Sequence, residues 1–395
     1  MNPNSKNNYR EGLANLKLGR VFFRPSSVVA RDLSVLIASM QLKERSNSFE
    51  PLKWLDLMAG SGIRSLRWGL EVAIPNVNKF TGRNELEIWT NDADSDNHDL
   101  IKSNLNPIKH KNISCHLSNE RAEKLLAKAY LDKQFFNLID LDCFGCPNAF
   151  LQPTLQVLAF DGVLMLCSTN SRSATGRERQ SALRQFGSSV RAHPSSWELA
   201  LRNQLGSIAK TAWLLGRGIE PLLSFSDGRT FRTLIRFKRF LSHKEEINLG
   251  FIARCNLCGD QSSQALIALN DWKSCNCKLN QGNWLISGPL WIGSLQNSSF
   301  IDELQNHVDQ NEIPIVNETK KLIGLLKDDP GYPALSWSTS ELAGRLSLSC
   351  QPPMAGLIKA LRQNGYIAFK SGVMKSQLRT NAPFSDLLRI FQDLI

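Results

Sequence analysis

A carboxylate, an aromatic ring, a glycine and a proline lie within one short segment, residues 140–147, which reads Asp-Leu-Asp-Cys-Phe-Gly-Cys-Pro. Apolar residues 135–139 precede it and predict a buried strand, so we expect Asp142 at the strand's carboxyl end, before a tight turn. Open α/β sheets place their chemistry at that edge. A carboxylate there can accept the proton of an exocyclic amine, and an aromatic ring can stack on a base. The alternative is that Asp142 caps the following helix.

A second segment, residues 56–62, has the small residues of a ligand-binding turn. A strand is predicted at 53–57, and Gly60 and Gly62 after it let a ligand approach the backbone. Asp56 and Gly60 are therefore candidate cofactor-binding residues, and Asp92, after the next strand, suits ribose hydroxyls. The dinucleotide fingerprint G-x-G-x-x-G is incomplete because Ser65 stands at the position of its third glycine. The pattern fits S-adenosylmethionine or NAD, and a purely structural turn is the alternative.

Strands and helices alternate through the first half of the chain. Strands are predicted at 53–57, 86–89, 113–117, 135–142 and 162–167, with helices at 28–38, 97–105, 122–130 and 197–215. This alternation predicts a parallel, doubly wound sheet. A hairpin with an Asp227-Gly228 turn is expected at 221–237. Residues 1–20 are expected to be loosely ordered, and 168–190 to form a loop.

Composition narrows the class of protein. The chain has 395 residues, of which 42% are hydrophobic, and a net charge of +11. No apolar run approaches the roughly 18–20 residues of a membrane helix, and the first residues lack a signal peptide's apolar core, so we expect a cytoplasmic protein without a membrane partner. Residues 151–250 hold 14 Lys and Arg against 7 Asp and Glu, a net charge of +7. This excess of positive charge indicates an anionic partner such as nucleic acid. The alternative is that the charge serves solubility alone.

Four of the nine cysteines cluster between residues 254 and 278: Cys255, Cys258, Cys275 and Cys277. Thiolates at C-x2-C spacing suit tetrahedral zinc, and Gly259 supplies the usual turn after the first pair. The single intervening residue in the second pair is unusual. We expect a structural zinc ion, with a metal-free remnant of such a knuckle as the alternative.

Residues 140–147 resemble the motif of the tRNA guanine-N2 dimethyltransferases, which act on guanosine 26. Further landmarks of that family match in order from about residue 15 to the end, at 22–25, 31–34, 221–226, 288–293 and 379–383. The resemblance implies a class I S-adenosylmethionine-dependent methyltransferase fold, a Rossmann-like α/β sheet with a terminal antiparallel hairpin. It also implies a smaller C-terminal α+β domain with a Cys-rich insert. We expect residues 1–245 to form the catalytic domain and 246–395 a tRNA-binding domain.

The resemblance implies roles for the residues of the motif. Asp142 would be the catalytic carboxylate, and Phe144 and Pro147 would shape the guanine pocket. The family usually has Pro where Cys143 stands and Ser or Thr where Cys146 stands. Both departures keep a compact turn.

The resemblance also implies a cofactor site for S-adenosylmethionine. Arg31 would hold its methionine carboxylate with Arg64 nearby, and Asp92 would bind its ribose. The family's acidic residue for the adenine amine aligns with Arg121, and Glu120 is the candidate substitute.

The implied function is transfer of one or two methyl groups to N2 of a tRNA guanosine by an enzyme that we expect to be monomeric. The candidates for contact with the tRNA backbone are Arg172, Arg177, Arg179, Arg184, Arg229, Arg232, Arg236 and Lys238. One alternative is an RNA-binding protein on a decayed methyltransferase scaffold. Another is an amine methyltransferase acting on DNA adenine or a protein amide, which the later landmarks disfavour.

Overall fold

The chain divides into two compact units. The structure, a computed structural model, describes residues 8–44, 50–79, 86–275, 277, 283–310 and 313–395. The first unit comprises Met1–Cys167, Leu234–Arg239 and Asp302–Ile323, and the second comprises Ser168–Thr233, Phe240–Ile301 and Gly324–Ile395. The division into domains at residue 245 stays a prediction.

Nine strands lie before residue 240 in the part of the chain that the structure describes. They are β1 (Asn8–Glu11), β2 (Ala14–Lys17), β3 (Leu52–Asp56), β4 (Leu86–Asn91), β5 (Ile113–Ser118), β6 (Phe136–Asp142), β7 (Leu158–Ser168), β8 (Gly218–Ser226) and β9 (Phe231–Lys238). Seven of them form one sheet in the order β5-β4-β3-β6-β7-β9-β8, and β5, β4, β3, β6 and β7 pair in parallel. The predicted doubly wound sheet is confirmed. The predicted hairpin is confirmed as well, because strands joined by so short a turn must be antiparallel.

Helices follow the strands in the same part of the chain. They are α1 (Val28–Glu44), α2 (Ile63–Arg67), α3 (His98–Asn104), α4 (Ala122–Leu131), α5 (Asn148–Val157), α6 (Ser171–Ala174), α7 (Arg179–Phe186) and α8 (Ser196–Leu214). Strands β3 and β6 are buried almost throughout, which explains why most of their residues are apolar. None of the helices that the structure describes combines the length and apolar character needed to cross a membrane.

Two segments differ from the sequence-based expectations. Residues 8–17, expected to be loosely ordered, form the antiparallel hairpin β1-β2, which turns at Gly12 with φ 55°. Residues 168–190, expected to be a loop, contain α6 and α7. Both segments are short and polar, so their hydrophobic periodicity is too weak to predict regular structure.

The rest of the chain contains two three-stranded sheets, in the orders β11-β10-β12 and β13-β15-β14. Its elements are β10 (Leu249–Cys255), β11 (Gln261–Ala265), β12 (Trp284–Trp291), α9 (Ser298–Gln310), α10 (Asn317–Lys327), β13 (Ser336–Ser338), α11 (Thr339–Arg345), α12 (Met354–Gln363), β14 (Ala368–Lys370), β15 (Gln377–Thr380) and α13 (Phe384–Gln392). The side chain of Ser338 caps α11 by accepting from the Glu341 amide, as a capping box requires.

A buried ionic network lies inside the second unit. Arg379, which is fully buried, donates from both Nη atoms to Glu198 at 2.8 Å and from Nε to Asp329 at 2.7 Å. Arg202 also donates to Glu198, at 2.9 Å. Burial alone would raise the pKa of Glu198, but the two arginines lower it to about 2. Each charge in this network therefore depends on its partners.

We predict that Arg379→Met destabilises the protein by about 3–5 kcal/mol, because it leaves buried carboxylates without their partner. The free energy of unfolding in urea measures the change. Arg389→Met is the control, since Arg389 is 55% exposed and its ion pairs lie in water. We expect a change within about 0.5 kcal/mol there. Equal effects of the two substitutions would contradict the role given to the network.

Candidate active site

The turn between β3 and α2 is tied to the ends of the two neighbouring strands. Gly60 has φ 57° and Gly62 has φ 76°, a left-handed conformation that favours glycine. The Gly60 amide donates to Asp92 Oδ2 at 2.7 Å, and the Leu57 amide donates to the Asp140 carbonyl at 3.1 Å. The carboxyl ends of β3, β4 and β6 therefore meet at this turn, as the sequence predicts.

Unused polar atoms face this turn. The hydroxyl of Ser61 is buried and has no hydrogen-bond partner among the described residues, and the same holds for Asp56 Oδ1. A Cβ added to Gly60 would meet only Val21 Cγ1, at 3.4 Å. The turn thus leaves open space beside donors and acceptors that a ligand can use.

Asp92 follows β4, which is next to β3 in the sheet, and Glu120 follows β5, the strand beyond β4. Asp92 Oδ1 accepts from the Asp94 amide at 3.0 Å, which orients the carboxylate. Asn91 holds the Glu120 backbone through both its amide and its carbonyl, at 3.1 and 2.9 Å. Glu120 Oε2 is buried without a partner within the described part of the chain, and Arg121 is 80% exposed and pairs with Glu123. Of the two candidate residues for an adenine amine, Glu120 is the sheltered one.

Arg64 is the cation at the centre of the site. It is the second residue of α2, and its side chain is 7% exposed. Its Nε lies 2.8 Å from Asp140 Oδ2, and its Nη2 donates to Asp142 Oδ2 at 2.5 Å. Asp140 and Asp142 share one face of β6 because side chains alternate along a strand. The guanidinium therefore joins a buried carboxylate to one that is 24% exposed.

A third carboxylate adds to this cluster. Asp56 pairs with Asp140 in the register of β3 and β6 and accepts from the Ser65 hydroxyl at 3.3 Å. Burial raises the pKa of Asp56 to about 7, an effect that Arg64 opposes and Asp140 reinforces. Burial would lower the pKa of Arg64, but Asp140 and Asp142 raise it. One arginine thus faces three carboxylates. Burial favours the protonated form of one of them, Asp56.

The turn after β6 exposes an aromatic ring beside Asp142. Gly145 has φ 80°, and helix α5 begins at Asn148 with Pro147 as its N-cap. The N-cap position of this helix is Pro147 and not Asp142, and Pro147 makes no capping hydrogen bond through its side chain. Cys143 is buried, and burial, with a smaller effect of Asp142, raises its pKa to about 12. Its thiol is therefore neutral and serves packing.

Phe144 has an aromatic partner that sequence reasoning did not single out. Phe144 is 74% exposed and Phe22 is 63% exposed, yet their ring centroids lie 5.2 Å apart at an interplanar angle of 70°. The guanidinium of Arg24 lies 5.6 Å from the Phe22 ring centroid. Two large rings held in water beside Asp142 offer stacking surface to a flat ligand.

Arg31 has partners of its own. Its Nε and Nη2 donate to the two carboxylate oxygens of Glu11 at 2.7 and 2.5 Å, and its Nη atoms donate to the carbonyls of Arg24 and Pro25. Arg67 also donates to Glu11, at 2.9 Å. The two bonds from Arg31 to Glu11 hold the β1-β2 hairpin against α1, and all four bonds of Arg31 fix its guanidinium. They leave Arg31 one N–H for any ligand, so its predicted contact with a cofactor carboxylate stays a prediction.

Sequence reasoning also missed the residues that support Asp140. Ser34 lies 3.4 Å from Asp140 Oδ2 through its hydroxyl, and the indole of Trp68 donates to Ser34 at 3.0 Å. The two-residue spacing of Asp140 and Asp142 was the available signal, because it places both on one face of a strand. Phe22 and Ser34 lie within the landmarks at 22–25 and 31–34, but no pattern in the sequence indicates their contacts, and none identifies Trp68.

The four clustered cysteines come together as the sequence predicts. Their Sγ atoms all lie within 4.8 Å of one another, with Cys255 at 3.5 Å from Cys275 and 3.6 Å from Cys277. These separations exceed a disulfide bond of about 2.05 Å. They approach the roughly 3.8 Å between sulfurs that tetrahedral zinc with bonds of about 2.3 Å requires. Gly259, with φ 80°, donates its amide to the Cys255 carbonyl at 3.1 Å and closes the first knuckle.

Comparison with known proteins identifies a methyltransferase family, in agreement with the geometry of the site. The family model described as "N2,N2-dimethylguanosine tRNA methyltransferase" matches residues 8–392. A tRNA (guanine(26)-N(2))-dimethyltransferase of Saccharolobus islandicus (strain M.14.25 / Kamchatka #1) is 26% identical over 396 residues, covering 99% of this chain and 96% of the relative. The enzyme of that name from Thermococcus kodakarensis is 25% identical over 409 residues, covering 98% of each chain.

A solved structure has the same fold. The complex of Trm1 from Pyrococcus horikoshii with S-adenosyl-L-methionine matches with a TM-score of 0.81 and 21% identity, covering 97% of this chain and 99% of that chain. The fold, the clustered carboxyl ends of β3, β4 and β6, and the family match over nearly the whole length agree. The chain belongs to the N2,N2-dimethylguanosine tRNA methyltransferase family.

Proposed function

We propose that this protein transfers methyl groups to the exocyclic N2 of guanosine 26 of tRNA, with Asp142 as the proton acceptor. As a member of its family the protein is an S-adenosylmethionine-dependent tRNA guanine-N2 methyltransferase. Position 26 is the position in the names of its relatives. The observation that carries the proposal is the partly exposed Asp142 carboxylate, which is held by Arg64 beside two exposed aromatic rings.

The residues around the β3 turn fit S-adenosylmethionine. Carboxylates at Asp92 and Glu120 can accept from ribose hydroxyls and an adenine amine, and Glu120 Oε2 has no other partner among the described residues. The open left-handed backbone at Gly60 and the buried Ser61 hydroxyl can meet the amino-acid part of the cofactor. The bound cofactor supplies an electrophilic methyl group on its sulfonium.

Asp142 makes the guanine amine a better nucleophile. The N2 lone pair is delocalised into the ring, and a carboxylate that accepts the N–H localises that pair and takes the proton as the new N–C bond forms. The ion pair with Arg64 favours the ionised carboxylate, which is the proton-accepting form. Since Asp142 is 24% exposed, the proton can then leave to water.

Arg64 and Asp140 fix the direction of this carboxylate. The guanidinium binds one Asp142 oxygen, and Asp140, held by Ser34, binds the guanidinium in turn. We assign Phe144 and Phe22 to the base, with Pro147 shaping the turn. The target guanosine has to leave its stack to reach them, and the rings replace part of the lost stacking.

We also propose that the protein acts as a monomer in the cytoplasm and that the cysteine cluster holds a structural zinc ion. No catalytic role is assigned to the metal, since methyl transfer to an amine needs none. In the described part of the chain, the cluster comprises only thiols and so has no position reserved for a water ligand.

Asp142→Asn should lower kcat by about 10²–10⁴-fold, because the amide keeps an oxygen for Arg64 but cannot accept the amine proton. The measurement is methylation of unmodified tRNA followed by mass spectrometry of its nucleosides. Asp132→Asn, an exposed residue after α4, is the matched control and should keep normal activity. Normal methylation by Asp142→Asn, or a methyl group on any base other than guanine, would overturn the proposal.

Asp56 makes stability depend on pH. The folded state holds the Asp56 proton up to a pKa of about 7, whereas the unfolded chain releases it at about 3.9, so the wild type loses stability as pH rises between these values. Asp56→Asn removes this loss. We expect the stability of the variant relative to wild type to rise between about pH 4 and 7, by about 1.4 kcal/mol per pKa unit at most.

Urea unfolding of the cofactor-free proteins across that pH range measures this difference. Asp96→Asn, at an exposed position, is the control and should show no trend. A pH-independent difference between Asp56→Asn and wild type would contradict the protonated state of Asp56.

The zinc proposal predicts about one zinc ion per chain in the purified protein. Cys255→Ser should lower the zinc content and the melting temperature, because three thiolates bind the ion less tightly and the knuckle loses its anchor. Metal analysis and thermal unfolding are the measurements. Cys350→Ser is the control, since Cys350 is exposed and lies outside the cluster. A wild-type protein that is folded and free of zinc would show the proposal to be wrong.

A further inference from the structure

The basic residues predicted to contact RNA differ in whether an acidic residue pairs with them. Arg172 pairs with Glu178, Arg236 pairs with Glu44 and Lys238 pairs with Asp161. These cations are already neutralised by their neighbours. By contrast, four exposed arginines of the second unit have no ion pair or side-chain hydrogen bond among the residues that the structure describes: Arg177, Arg179, Arg184 and Arg229.

Three of these four unpaired arginines line one groove. The groove has a volume of about 650 Å³ and is lined by Arg177, Arg179 and Arg184 together with Ser181, Leu183 and Ser189. We call it the arginine groove. Its lining includes one acid, Glu178, whose carboxylate is engaged by Arg172. The lining residues therefore carry a net positive charge.

The segments that form the arginine groove are held in place by contacts with neighbouring residues. Gly176 has φ 82°, and a Cβ there would lie 2.5 Å from the backbone carbon of Arg191, so the turn before Arg177 can form only with glycine. The Ser173 hydroxyl donates to Ser181 at 2.9 Å and joins α6 to α7. The backbone that carries the arginines is thus held in one position, which lowers the entropy cost of ordering these side chains around a ligand.

The end of α7 is fixed in the same way. Lys210 donates to the carbonyl of Phe186 at 3.0 Å, at the helix C-terminus, and Gly187 ends the helix with φ 62°. The next residues connect to β12, because the Ser189 amide donates to the Gly288 carbonyl at 2.8 Å. Both walls of the groove are therefore tied to regular structure of the same unit.

We propose that the arginine groove is a binding subsite for backbone phosphates of the tRNA substrate. Planar guanidinium groups bind phosphate oxygens through paired hydrogen bonds. The volume exceeds what a single phosphate needs and suits a run of backbone, while Leu183, which is 60% exposed, offers apolar surface to a ribose. The inference rests on the proposed function only in naming tRNA as the RNA.

The test removes the three charges together, in Arg177→Gln/Arg179→Gln/Arg184→Gln. The matched control is Lys320→Gln/Lys321→Gln/Lys327→Gln, which removes the same charge from exposed positions along α10. Binding of a tRNA transcript is measured by fluorescence anisotropy between about 0.05 and 0.3 M salt. Steady-state methylation kinetics and binding of S-adenosylhomocysteine are measured on the same proteins, and thermal melting verifies that all three are folded.

The groove variant should bind tRNA about tenfold or more weakly, and the slope of log affinity against log salt should shrink by about 0.7–0.9 per lost phosphate contact. KM for tRNA should rise while kcat at saturating tRNA and cofactor-product affinity stay within twofold of wild type. The control should bind tRNA as wild type does. An unchanged tRNA affinity and salt slope in the groove variant would overturn the inference.

Two further measurements distinguish a failure of the groove inference from a failure of the proposed function. Inorganic phosphate at about 10 mM should compete for the groove only weakly if several phosphates are bound together. Complete competition would show a site for a free anion and would overturn the inference. If the wild type binds tRNA through the groove but methylates no guanosine, the proposed function fails and the groove stands. If it methylates guanosine and the groove variant binds normally, only the groove fails.

Discussion

The active site depends on one cation shared by several carboxylates. Arg64 lies where β3 and β6 end, and it faces Asp56, Asp140 and Asp142. A single carboxylate paired with a buried arginine would be strongly stabilised as the anion and would be a poor base. Sharing the guanidinium divides that stabilisation. Asp142 therefore keeps a fixed direction through Arg64, while Asp140 binds the same guanidinium.

The parts of this arrangement that follow from regular structure could be predicted from sequence. Continuous apolar runs predicted the strands, and parallel strands end at one edge, so Asp92 and Asp142 were expected at the same edge of the sheet. The cysteine spacing predicted the thiol cluster in the same local way. These predictions succeed because the periodicity of a strand and the length of a knuckle determine where a side chain points.

Contacts between segments distant in sequence could not be predicted. The pairing of Arg31 with Glu11 depends on the β1-β2 hairpin, whose four-residue strands carry almost no hydrophobic signal. The contact of Phe22 with Phe144 joins residues far apart in the chain, and neither residue type nor spacing indicates it. The separation of paired from unpaired arginines likewise depends on where each acidic partner lies in the fold.

The atypical turn after Asp142 shows which positions of the motif are constrained. Gly145 has φ 80° but an added Cβ would meet nothing within 4 Å, so the backbone conformation requires glycine although space does not. Cys143 needs only to be small enough for a buried position, and its thiol donates to the Cys167 carbonyl at 3.6 Å. Burial raises the pKa of both Cys143 and Cys146, so neither becomes a thiolate at neutral pH. The two cysteines therefore change the packing of this turn without adding a second negative charge beside Asp142.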